Sequence, residues 1–157
     1  MIIPINPKDV LVAKQIYNIQ IPSYQIEAEW LGVTSFPPLN ETIESIQASN
    51  ETFIGYVVEG ALAGVMSYEI GEEVSICRVV VHPDHFRKGI GRGLVQHVVE
   101  KYPTMRITVQ TGSKNVPAIQ LYEKLGFKKD EEFEVEKGLW MTSFEWTSKK
   151  KQQHPRN

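Results

Sequence analysis

Hydrophobic positions along this chain recur with two different periods, and the switches between them lay out its elements. Ile2–Ile5 is a short apolar run that predicts an opening strand. Pro7, Lys8 and Asp9 suit a helix entry, and Val10, Ala13, Ile16 and Tyr17 then follow at helical spacing. The mixed pattern after Ile21 predicts two further helical stretches, over residues 24–31 and 41–47, with Pro37 and Pro38 in the loop between them. Thr52–Val58 and Ala61–Ile70 are rich in β-branched and aromatic residues and meet at Glu59-Gly60, a hairpin turn signal. Gly71 marks another turn, and Val74–Val81 reads as the third strand of this middle run. After a basic, glycine-punctuated loop, Leu94, Val95, Val98, Val99 and Tyr102 form a helical stripe that Pro103 ends. A strand over 106–110, a helix over 116–125 closed by Gly126, and strands over 127–134 and 139–147 complete the order. That order predicts a mixed α/β sheet with helices on both faces. Residues 148–157 are polar and are expected to form a disordered tail on a single domain spanning 1–147.

Composition narrows the partners. A chain of 157 residues is large enough for a core of its own, and 41% hydrophobic with 23% charged residues is ordinary for a globular protein. The formal charge of −2 gives no electrostatic footprint for nucleic acid or an anionic membrane. Basic residues gather only locally, at Arg87, Lys88 and Arg92 and at Lys149, Lys150 and Lys151. No apolar run approaches the ~20 residues of a membrane span, and the start lacks the charged-then-apolar order of a signal peptide. Cys77 is the single cysteine, so no intrachain disulfide can form, and its mid-strand position reads as a small buried residue. A cytoplasmic protein without nucleic-acid or membrane partners is expected, and a homodimer stays open. His82 and His85 are three apart, but Pro83 lies between them and no ligand set completes a site, so no metal is expected.

The chemistry concentrates in two segments. In the first, the strand Val79-Val80-Val81 runs through His82-Pro83-Asp84-His85-Phe86-Arg87-Lys88 into Gly89-Ile90-Gly91-Arg92-Gly93 and a helix. The first amides of a helix have no internal partner and sit at the positive end of its dipole, so such an end takes phosphate readily. Arg87, Lys88 and Arg92 add charge at that spot. Neither common phosphate motif matches. Gly89, Gly91 and Gly93 alternate, putting Leu94 where the dinucleotide fingerprint needs glycine, and no Gly-Lys-Ser or Gly-Lys-Thr of a P-loop occurs. Taken alone, the glycines also suit a tight turn before an amphipathic helix, the lesser of the two readings.

In the second segment, Asn115 is an N-cap, Pro117 sits in the first turn and Gly126 closes the helix. Ala118, Leu121 and Leu125 form its apolar stripe, with Tyr122 one turn beyond Ala118. Pattern alone makes Tyr122 a core residue with its hydroxyl at the rim.

Together the two segments resemble the GNAT superfamily of acyl-coenzyme A dependent N-acyltransferases. A strand ending in Val-x-Pro enters a Gln/Arg-x-x-Gly-x-Gly/Ala loop there, and an Asn…Ala…Tyr…Gly-Phe segment follows across a strand, as Asn115, Ala118, Tyr122, Gly126 and Phe127 do here. The resemblance spans residues 55–127. It implies a mostly antiparallel sheet of six to seven strands with a central splay, and acetyl-coenzyme A as acyl donor. It also implies an amine acceptor, on a small molecule or a peptide. Val79, Val80 and Val81 would pair with the pantetheine arm, and the amides of Arg87, Lys88, Gly89, Ile90, Gly91 and Arg92 would cradle the pyrophosphate. Asn115 and Ala118 would meet the arm, and Tyr122 would protonate or hold the departing thiolate. One departure stands out: Phe86 occupies the position where the pattern has Gln or Arg. A non-catalytic coenzyme A-binding module on the same fold is the alternative.

An amine with pKa ~10.4 is protonated at neutral pH, so an acyltransferase needs a proton acceptor. Glu69 and Glu73, with Glu72 beside them, are the leading candidates, at or near the turn before the central strand Val74–Val81. Glu27 and Glu29 come after them. The oxyanion is expected to rest on a backbone amide near Val80 or Val81. Trp30, Phe36, Pro37 and Pro38 are candidates for an acceptor wall or for plain packing.

Overall fold

The computed structural model describes residues 1–148, so most of the expected tail lies outside the described residues. A seven-stranded sheet runs in the order β1-β2-β3-β4-β5-β7-β6. Its strands are β1 (Ile2–Ile5), β2 (Thr52–Val58), β3 (Ala61–Ile70), β4 (Val74–Val81), β5 (Ile107–Gly112), β6 (Lys128–Glu136) and β7 (Leu139–Trp146). Every neighbouring pair is antiparallel except β4 and β5. The β2–β3 hairpin turns at Glu59 (φ 51°) and Gly60 (φ 80°), the left-handed pair that a tight two-residue hairpin requires.

Helices cover both faces. α1 (Val10–Leu31) and the short α2 (Ile43–Gln47) pack on one side, where Ala13, Ile16, Ile46, Phe53, Val65 and Val80 are buried together. α3 (Ile90–Lys101) and α4 (Val116–Lys124) cover the other, over a core that includes Tyr68, Leu94, Val98, Ile107 and Phe144. No helix of the described residues is long and apolar enough to cross a membrane.

The one large departure from the expected elements is α1. It is a continuous helix of 22 residues, with Pro22 inside it, rather than two stretches. Proline removes one helical hydrogen bond, from its own missing N–H to the carbonyl four residues earlier. That carbonyl belongs to Asn18, which is exposed, so water can take the place of the lost donor. Burial of Ile16, Ile19 and Gln20 before the proline and Ala28 and Leu31 after it holds both halves against the sheet. At its far end α1 rests directly on β5. A Cβ added to Gly112 would lie 2.3 Å from Leu31 Cδ2, so only glycine lets the helix come this close. This contact carries the last turns of α1 across the gap between β4 and β5.

Candidate active site

The parallel strands β4 and β5 pair only at Val74↔Ile107 and Ser75↔Thr108. Beyond those positions they diverge, while β4 stays paired to β3 as far as Val81 and β5 to β7 as far as Gly112. A wedge-shaped gap therefore opens in the middle of the sheet. Arg106 clamps its closed end, reaching Glu73 in the β3–β4 turn at 2.5 Å, Glu145 of β7 at 2.6 Å and Asp130 of β6 at 3.5 Å. The edge of β4 facing the gap is polar. His82 N–H bonds to Ala63 on β3, and backbone groups alternate in direction along a strand. Val80 therefore faces β3 as well, and the N–H and C=O groups of Val79 and Val81 point into the gap.

At the wide end, Arg87 (φ 65°) and Gly89 (φ 76°) both adopt left-handed backbone, turning the chain into α3. The first helical bond of α3 runs from Gly93 N–H to Gly89 C=O, so the amides of Ile90, Gly91 and Arg92 precede the helical ladder and aim at the gap. No side chain caps this end. Such an arrangement suits an anion.

α4 forms the opposite wall. The Asn115 side chain caps it by accepting from Ala118 N–H at 3.2 Å. Tyr122 is 4% exposed, its ring held between Phe127 and Phe144 at centroid distances of 5.6 and 5.8 Å. Burial, and then the Glu27 carboxylate, raise the Tyr122 phenol above the ordinary tyrosine range, so it stays protonated at neutral pH. Glu27 descends from α1 on the same groove. Burial raises its carboxyl, and a hydrogen bond from the Asn115 side chain pulls in the other direction.

All these parts line one groove of about 410 Å³. Of the residues expected from sequence, it brings together Val79, Val81, Phe86, Arg87, Gly89, Ile90, Gly91, Arg92, Asn115, Ala118 and Tyr122. Glu27 and Trp30, named above as base and acceptor-wall candidates, also line it, and Ser23, His85, Pro117 and Leu121 complete the lining. Ser23 carried no signal in the sequence, because only the fold brings α1 over α4.

Several expected residues do not line this groove, among them Glu29, Glu72, Phe36, Pro37 and Pro38. Val80 is 2% exposed and packs in the core on the α1 face, with its polar backbone paired to Val65 of β3, so an oxyanion amide is left to its neighbours. The Lys88 side chain turns to His85, with Nζ 3.1 Å from Nδ1, instead of lining the groove. Glu73 is bound to Arg106 at the closed end. Glu69 is exposed on the α1 face, beside Ser45, Ser49 and Glu51 in a separate depression. Cys77 also departs from expectation. Where β3 and β4 slip register between Ser67↔Arg78 and Tyr68↔Ile76, the extra residue is Cys77, which is exposed rather than buried. Local desolvation and the carboxylates of Glu51 and Glu69 push its thiol up to about 12, which keeps it protonated and unreactive.

A sequence model of the acetyltransferase (GNAT) family matches residues 13–127. The chain belongs to that family. It is 43% identical over 146 residues to UPF0157 protein YqkA of Bacillus subtilis, covering 92% of this chain and 43% of that protein. It is 29% identical over 97 residues to the ribosomal protein bS18 alanine N-acetyltransferase of Escherichia coli, covering 59% of this chain and 66% of that one. The chain thus spans less than two thirds of either relative. The crystal structure of the Escherichia coli ribosomal-protein-S18-alanine N-acetyltransferase superposes with a TM-score of 0.71 at 18% identity, over 92% of this chain and 91% of that one. The structure of yncA from Salmonella typhimurium with its cofactor acetyl-CoA gives 0.65 at 18% identity, over 94% and 92%. The splayed mixed sheet expected from the two motifs is the fold observed.

Proposed function

We propose that this protein transfers an acetyl group from acetyl-coenzyme A to an amine of a small molecule or peptide, by direct attack and in the cytoplasm. The observation that carries the reading is that the β4–β5 gap, the amides opening α3 and the Tyr122 phenol share one groove. The free amides from Ile90 to Arg92 hold the pyrophosphate, with Arg87 and Arg92 supplying charge. Val79 and Val81 offer the pantetheine amides the strand partner that β5 does not provide, and Asn115 closes the arm from α4.

The amine nitrogen attacks the thioester carbonyl carbon, the C–S bond breaks, and a proton must leave the nitrogen. Tyr122 faces the departing sulfur as a neutral phenol and donates to it. The bacterial relative named for acetylating an alanine of a ribosomal protein supports an amine acceptor. The charge of this chain does not select between a protein amine and a small one.

The test combines acetyl-coenzyme A binding by calorimetry with thiol release on a panel: a peptide with a free α-amine, an N-blocked lysyl peptide, and spermidine. Amine-dependent thiol release with a product heavier by one acetyl group supports the reading. Binding without amine-dependent release on any of the three favours the non-catalytic module instead.

A further inference from the structure

The reaction just proposed needs a proton acceptor, and neither Glu69 nor Glu73 lines the groove that holds Tyr122. Among the described residues lining that groove, Glu27 is the only carboxylate. It hangs from α1, three residues past the Tyr24–Phe36 contact that fixes this part of the helix. Ser23 and Trp30, one turn to either side, line the same groove, so this face of α1 as a whole is presented to the gap. The Leu31–Gly112 contact holds that face over the open end between β4 and β5. Glu27 is partly buried, and its neighbours across the groove are the Asn115 amide, which donates to it, and the Tyr122 phenol.

From this placement we infer that Glu27 accepts the proton of the attacking amine; the inference rests on the acetyl-transfer reading above. The nitrogen lone pair forms the new C–N bond, the nitrogen's proton passes to a Glu27 carboxylate oxygen, and the C–S bonding pair leaves on sulfur. Tyr122 gives its proton to that sulfur and recovers one from Glu27, so the net change moves a single proton from nitrogen to sulfur and resets both side chains. Burial suits the role, since a carboxyl held above its ordinary range is a stronger base than a solvated one. The other titratable or charged groups on the groove are His85, Arg87 and Arg92 of the loop and early α3, and Tyr24 lies on the same helix. His85, an imidazole, is the alternative proton acceptor on this groove.

The experiment is Glu27→Gln, assayed for thiol release with the three amines at saturating acetyl-coenzyme A and over a range of pH, beside Glu27→Asp and His85→Gln. Glutamine can still accept the Asn115 hydrogen bond, so a purely structural Glu27 would survive this exchange. A catalytic one would not: turnover should fall roughly 10²–10⁴-fold. Affinity for acetyl-coenzyme A should change less than about threefold, and the acid limb of kcat/KM should lose the part due to Glu27, leaving only that of the substrate amine. Glu27→Asp should recover part of the rate, and His85→Gln should keep the limb. Wild-type turnover and an unchanged acid limb in Glu27→Gln would overturn the inference. A wild-type protein that binds acetyl-coenzyme A yet acetylates none of the amines would instead overturn the acetyl-transfer reading beneath it.

Discussion

The rings of Trp30 and Phe86 meet across the mouth of the groove, with centroids 6.2 Å apart and planes inclined by 36°. One belongs to α1 and the other to the loop that leads into α3, so the pair ties the roof of the groove to its anion end. This gives Phe86 a positive role at the position where the family pattern has a hydrogen-bonding side chain. An aromatic pair of this kind is worth ~0.5–1.5 kcal/mol. Phe86→Ala and Trp30→Ala should each weaken acetyl-coenzyme A binding a few-fold, and the double variant should lose less than the two together. Phe86→Gln should fall near wild type, since a new hydrogen bond to phosphate, ~0.5–1.5 kcal/mol, offsets the lost contact. A calorimetric double-mutant cycle with zero coupling would show that the rings merely lie near each other.

Gly91 is the position where the groove can be filled without disturbing the fold. A Cβ built there would lie 3.6 Å from Leu121 Cδ2 and 3.9 Å from the side chains of Val79 and Val81, ordinary contact distances. Gly91→Asp should therefore fold, yet bind acetyl-coenzyme A at least tenfold more weakly, because it places a carboxylate in the amide cradle. Gly91→Ala should show a smaller loss. Retained affinity in a folded Gly91→Asp protein would exclude this cradle as the pyrophosphate site.

Tyr122→Phe isolates the hydroxyl. The ring keeps its packing against Phe127 and Phe144, so stability should barely change. Turnover should fall by about 10²-fold, the low end of general acid catalysis, while acetyl-coenzyme A affinity holds. Unchanged turnover, with chemistry shown to limit the rate, would reduce Tyr122 to a packing residue.

What the sequence made legible was local. The valine-rich β4, the Glu59-Gly60 turn and the Asn115 cap each depend on residues within one turn or strand, and the structure places them as expected. The α1 helix was obscured because Pro22 is a local signal, whereas the burial that overrides it comes from strands more than thirty residues away. Glu27 ranked below Glu69 and Glu73 for a similar reason. Proximity to β4 along the chain favoured the turn carboxylates, but Glu73 is drawn to Arg106, and only the crossing of α1 over β5 carries Glu27 to the groove. Cys77 was misjudged because a register slip reverses the inside and outside of a strand, and nothing in Ser75-Ile76-Cys77-Arg78 announces the slip.

Arg78 tests how the α1 face is held together, and its partners lie too far apart in sequence to be read as a set. Its guanidinium donates to Ser67 Oγ at 2.8 Å, to Gln20 Oε1 at 2.9 Å and to Glu41 at 2.7 and 3.2 Å, and reaches Glu51 at 3.2 Å. It also lies over the Phe53 ring, 4.8 Å from its centroid. The arginine side chain is 8% exposed, whereas Glu41 and Glu51 keep 23% and 22%. Removing the arginine therefore strands two acids that can still turn towards water. The cost should fall below that of a fully buried pair, at roughly 2–4 kcal/mol. In a domain of this size that lowers the thermal midpoint by roughly 5–15 °C. Arg78→Leu should show this loss in thermal unfolding followed by circular dichroism. Arg78→Lys should recover less than half, because one ammonium cannot span Ser67, Gln20 and both acids. Glu41→Gln should cost less than Arg78→Leu, since an amide oxygen still accepts from the arginine. Acetyl-coenzyme A affinity well below the midpoint should stay near wild type in all three, as Arg78 lies on the face of β4 turned away from the groove. An Arg78→Leu protein within about 0.5 kcal/mol of wild type would mean that packing around Ile16, Phe53 and Val65 holds α1 in place unaided.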